Sequence, residues 1–242
     1  MPIRRVGSEL SRFVHAAFVS VVPRDHAQTD REFARRRWVA AITLVVGSVL
    51  LGISLNLEPG DPRFYACTFA LAGVWTLGAF VSGPLHLGWA RTRREGLARP
   101  VVQPLCVGAA AVAVFLLGSL VVAQVPFLRE AVDEVLDHAR YASLPVLVVI
   151  TLVNGIAEEL FFRGALFAAI GRKHPVLVSS AVYTLATVAT ANLMLVFSAA
   201  LLGVVLGLQR RVTGGVLAPM ITHVTWSLSM LLVLPPAIEA LS

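Results

Sequence analysis

The chain has 242 residues, 57% of them hydrophobic and 14% charged, with a mean hydropathy of +0.80. A soluble domain carries roughly 25% charged residues, so this composition excludes one and predicts an all-α polytopic membrane protein whose first partner is the lipid bilayer. The net charge of +6 does not point to nucleic acid, because the basic residues fall almost wholly in loops between apolar runs, where they act as orientation signal. Cys67 and Cys106 each stand alone in an apolar run, which indicates neither a disulfide framework nor a zinc knuckle.

Residues 1–37 form a basic cytoplasmic segment, too long and too weakly apolar for a cleaved signal peptide. Arg4-Arg5 is not followed closely by an apolar core, which argues against a twin-arginine signal. Within the segment, Leu10, Phe13, Val14, Ala17, Phe18 and Val21 recur at helical spacing opposite Glu9, Arg12 and His15. Such a helix can lie on an anionic membrane surface or pack on the cytoplasmic loops of the bundle.

Three spans are predicted over residues 38–127. The first covers 38–57, introduced by Arg35-Arg36-Arg37 and opened by Trp38, and its exit at 58–62 is a tight loop joining antiparallel helices. The second runs over 64–87 and the third over 105–127, separated by a basic loop carrying Arg91, Arg93, Arg94 and Arg99. Residues 128–143 change character. Leu128, Ala131, Val132, Val135, Leu136 and Ala139 make one stripe, and Arg129, Glu130, Asp133, Glu134, Asp137 and His138 make the other, so a second amphipathic surface helix is expected, outside the cytoplasm.

Four more spans are expected in 144–242: residues 144–171, 175–190, 192–209 and 216–234. Gly203 and Gly207 give the third of these a small-residue face for close helix contact. With the N-terminus placed inside, sixteen basic residues lie on the cytoplasmic side and three outside. That positive-inside split supports seven spans, N-in and C-out, in the inner (plasma) membrane, and adding or removing one span would spoil it.

The run 151–166, TLVNGIAEELFFRGAL, sets Glu158, Glu159 and Arg163 at membrane depth, where an ionised side chain costs a few kcal/mol or more and normally faces a bundle interior or a wet cavity. Glu159 and Arg163 are four apart, stack on one helical face and can neutralise each other. Glu158 sits about 100° around and has no such partner. Counted from the cytoplasmic helix ends, Glu158 lies ~21 Å deep, and Thr187 and His223 each ~18 Å deep, so three helices can bring them into one layer.

Glu158-Glu159-x-x-x-Arg163, followed by Gly164, resembles the first signature of the CAAX prenyl protease and bacteriocin-immunity (CPBP, Abi) intramembrane protease family, over roughly residues 144–234. The resemblance implies a helical core in which the first Glu and two His, aided by an Asn, activate water and polarise an amide. The later motifs depart from this pattern. The aromatic position is Tyr183, but Thr187 stands where the family has His, and the last motif reads His223-x-x-x-Ser227, with Ser in place of Asn.

By resemblance, then, the site residues are Glu158, Glu159, Arg163, His223 and Ser227. Ser227 lies one turn after His223 and could donate to an oxyanion. Thr187 cannot act as a base. The family resemblance would allow a divalent metal, but one imidazole makes a weak zinc set, so no cofactor is expected. Two functions follow as expectations. One is an intramembrane endopeptidase acting on a peptide or prenylated substrate, impaired by Thr187. The other is a non-catalytic pseudoprotease serving as scaffold or accessory subunit of a membrane complex such as a transporter. Glu158 is also the right residue for a proton-coupled carrier, although no inverted repeat is visible.

Overall fold

A computed structural model describes residues 2–24, 26–92 and 96–241, with the backbone alone for residues 2–6 and Ala139. Arg93 and Arg94, counted above with the basic side, lie outside the described residues, as do the side chains of Arg4, Arg5 and Ala139.

The helices run α1 (Pro2–Phe18), α2 (Asp30–Leu55), α3 (Arg63–Ser82), α4 (Val102–Val122), α5 (Pro126–Arg140), α6 (Leu144–Glu159), α7 (Phe167–Ile170), α8 (Pro175–Thr187), α9 (Leu193–Thr213) and α10 (Leu217–Glu239). Six candidate spans among the described residues are long and apolar enough to cross a membrane, and Pro175–Thr190 is a shorter apolar seventh. The all-α polytopic bundle expected from composition is therefore the fold found.

Element ends differ from the expected ones where capping and loop chemistry decide. The helix α2 starts eight residues before Trp38, because Thr29 and Glu32 form a reciprocal capping box. Residues 83–87 are not helical: α3 stops at Ser82, and Gly83 takes a φ of 141° that L side chains rarely adopt. Beyond it, Ala90–Arg91 and Leu97–Ala98 pair as a short antiparallel hairpin, while His86 and Leu87 accept backbone hydrogen bonds from Val216 and Leu217.

The helix α2 turns small residues inward and bulky apolar ones outward, as expected where acyl chains are the solvent. On α2, Trp38, Ile42, Val45 and Val49 are exposed, whereas Ala40, Thr43, Gly47 and Ser54 are buried. A Cβ at Gly47 would meet the Trp75 ring at 2.1 Å, and one at Gly78 would meet Thr43 Oγ1 at 2.2 Å, so α2 and α3 approach through their glycines. Gly203 and Gly207 bring α9 against Ser180 and Val176 of α8 in the same way. Trp75 stacks on Phe161 at 4.6 Å and lies 5.1 Å from Phe162, which centres the main core between α3 and the middle of the charged span.

Both amphipathic helices are present. The first packs on α9, with Ala17 buried, Phe13 and Phe18 half-buried and Leu10 and Val14 exposed, and the chain beyond it joins Val22 to the carbonyl of Val212. On α5, Val132 and Leu136 are buried with Val122 and Ile238, and the Asn192 side chain ties that helix to the start of α9 by donating to the Ala131 carbonyl and to Glu134.

Candidate functional site

The span 144–170 is not one uniform α-helix. Between α6 and α7, residues Leu160–Leu166 form a π-helical segment. Such widened turns insert an extra residue per turn and often occur at functional sites. This one follows Glu159 directly and contains Arg163, so the buried cluster sits at the junction.

Glu159 and Arg163 are paired, with Arg163 Nη1 donating to Glu159 Oε1 at 2.9 Å and both side chains fully buried. Arg163 is held further by Nη2, which donates to the Gly203 carbonyl on α9 at 3.4 Å, and its guanidinium lies 4.6 Å over the Tyr183 ring. His223 Nδ1 meets the same Glu159 oxygen at 2.8 Å. One carboxylate thus joins α6, the π segment and α10. With Nδ1–H directed at the carboxylate, Nε2 is the ring nitrogen left for other work.

Glu158, without a partner on its own helix, finds one on another. Tyr183 on α8 donates its hydroxyl to Glu158 Oε2 at 2.8 Å. Three spans therefore meet in one layer, but the pairing is Glu158 with Tyr183 and Glu159 with His223. Spacing could not show this, because it places residues on one helix face and leaves open which neighbour reaches which carboxylate.

Thr187 is buried on α8, and its hydroxyl donates to the Tyr183 carbonyl at 2.9 Å, one turn back on its own helix. Ser227 likewise donates within its helix, to the Val224 carbonyl at 3.4 Å, and it lies beside Gly155 of α6. Several buried polar atoms at this level have no partner among the described residues: Glu159 Oε2, Arg163 Nε, Asn154 Oδ1 and Trp226 Nε1.

Among the described residues no three His, Cys, Asp or Glu side chains are grouped closely enough to hold a metal ion, and Glu159 Oε1 is already shared by Arg163 and His223.

Two arginines expected at the membrane face are buried instead. Arg36 is 4% exposed and donates to the Pro84 carbonyl at 3.1 Å; Arg210 is 5% exposed and donates through Nε to the Arg163 carbonyl. For Arg210 a signal existed. It lies seven residues after Gly203 and three after Gly207, on the face that those glycines turn inward.

Fold and site together define a helical membrane protein with an acid–base network buried between its spans. Residues 140–229 match the family model described as type II CAAX prenyl endopeptidase Rce1-like, and this bears out the resemblance carried by Glu158, Glu159 and Arg163. Comparison with curated proteins gave no match, and neither did comparison with solved structures.

Proposed function

We propose that this is a CAAX-protease-like membrane protein whose endopeptidase activity is impaired or lost, and that it serves as a non-catalytic scaffold or accessory subunit of a larger membrane assembly. The observation that carries this reading is the use made of α8. Where the resemblance implies an imidazole, Thr187 donates its hydroxyl to its own helix, and α8 contains no His. Loss of a general acid–base group typically costs ~10²–10⁴ in rate. The neighbouring groups support the same reading. His223 gives its Nδ1 hydrogen bond to Glu159, and Ser227 is engaged with its own backbone. The network Glu159–Arg163–His223 acts as a clamp between α6 and α10, and Arg163 extends it to α9.

The second reading is a slow endopeptidase, favoured by Glu158, which is only partly buried and has a single hydrogen bond, from Tyr183. In that reading Glu158 takes a proton from water as the hydroxyl oxygen bonds to the amide carbon. A doubly protonated His223, through Nε2–H, and the Ser227 hydroxyl donate to the oxyanion, and the proton taken by Glu158 passes to the leaving amine as the C–N bond breaks. The substrate would be a peptide or prenylated tail entering from the cytoplasmic side, with the N-terminus inside.

Purified protein in proteoliposomes, given farnesylated and unmodified C-terminal peptides, separates the two readings. Wild-type protein is expected to cleave no faster than Glu158→Gln and to co-purify with a stoichiometric membrane partner. Cleavage by wild type that Glu158→Gln abolishes, at unchanged thermal stability, would overturn the non-catalytic reading.

A further inference from the structure

The end of the bundle where α2 and α10 begin and α3, α7 and α9 end encloses a cavity of about 340 Å³ lined by Arg24, His26, Phe167, Arg172 and Arg210. A smaller hollow of about 40 Å³ adjoins it through the shared residues His26 and Arg210, and adds Arg36 and His86. Among the described residues, none lining either hollow is acidic. Among the described residues, Arg24, Arg36 and Arg210 form no ion pair with a carboxylate. Glu32, one turn before Arg36, is occupied in capping Thr29, and Asp25 lies outside the described residues.

Backbone and ring faces hold these cations in place. Arg24 Nη1 donates to the Arg211 carbonyl and Arg36 Nη2 to that of Pro84, beside Gly83, where a Cβ would come within 2.5 Å of the guanidinium. Arg210 Nε donates to the Arg163 carbonyl while the guanidinium lies 5.2 Å over the Phe167 ring. Arg36 Nε has no partner among the described residues. His26 and His86 stack at 3.7 Å with their planes 6° apart. Burial first, and then the neighbouring Arg210 and Arg36 charges, hold the His86 imidazole below its ordinary pKa.

Buried charge without an opposite charge is strongly unfavourable, and isolated guanidinium groups converge where a planar-fork donor can take oxyanion oxygens. We propose that the two adjoining hollows together bind a phosphate group, with Arg210, shared by both, and Arg36 of the smaller as inner ligands and Arg24 at the mouth of the larger. The phosphate can come from the headgroup of an anionic phospholipid, since basic pockets between spans suit such headgroups, or from soluble phosphate. The site is separate from the Glu158 layer and stands whether or not that layer cleaves peptides.

The test uses full-length protein in detergent. Inorganic phosphate is titrated against chloride at matched ionic strength and the unfolding temperature followed. Native mass spectra are then taken of protein released from nanodiscs of equal phosphatidylglycerol and phosphatidylcholine. Phosphate is expected to raise the unfolding temperature saturably, and Arg36→Gln or Arg210→Gln to weaken binding about tenfold or more. Selective retention of phosphatidylglycerol identifies the lipid as the source; saturable phosphate binding without lipid retention identifies soluble phosphate. If neither phosphate nor phosphatidylglycerol binds wild-type protein, or if the variants bind as wild type does, the site is refuted. Should Arg210→Gln fail to fold, the wild-type titration and the exposed Arg24→Gln variant decide.

Discussion

The two adjacent carboxylates differ in what depends on them. Glu159 satisfies both Arg163 and His223, all three buried, whereas Glu158 receives one hydroxyl. Removing one member of a buried ionic network typically costs about 3–5 kcal/mol, because the remaining charges stay desolvated. Glu159→Ala is therefore expected to destabilise by that order, while Glu158→Gln, which keeps an acceptor for Tyr183, changes stability by about 1 kcal/mol or less. Denaturant unfolding in detergent measures both, and equal effects would refute the division of labour. Sequence alone showed the Glu159–Arg163 pair, since four residues on a helix fix that geometry. It did not show that His223 reaches Glu159, nor that Tyr183 reaches Glu158, because both contacts bridge separate helices.

Among the elements, the apolar runs announced nearly every helix, and the two amphipathic stripes announced α1 and α5. What stayed hidden was local chemistry without a hydropathy signature. The Thr29–Glu32 capping box lengthens α2, Gly83 ends α3, and the π segment splits α6 from α7. Glycines set the closeness of neighbouring spans, and this can be tested with a matched pair. An added methyl at Gly47 falls on the Trp75 ring, whereas one at Gly73 meets nothing within 4 Å. Overpacking a filled seam typically costs about 1–3 kcal/mol, while Gly→Ala in an open helix position gains up to about 1 kcal/mol. Gly47→Ala is thus expected to lower the unfolding temperature and Gly73→Ala to leave it equal or higher. Indistinguishable shifts would show that α2 and α3 do not meet through Gly47.

For the molecule as a whole, the sixteen-to-three distribution of basic residues predicts an N-terminus inside and a C-terminus outside. A reporter active only outside the cytoplasm, fused after Ser242, is expected to be active, and the same reporter inserted after Lys173 inactive; the reverse pattern would invert the orientation. Two of those sixteen residues, Arg36 and Arg210, are withdrawn into the bundle, so a charge count that predicts sidedness does not show which charges face water.

Where two spans meet through glycine, the outward bulk and inward smallness reverse the usual rule for tolerated change. Ile42, Val45 and Val49 can be exchanged among themselves against fluid acyl chains, while a single hydrogen at Gly47, Gly78 or Gly203 holds two helices at their working separation. Along these seams the least oily positions carry the most structural information.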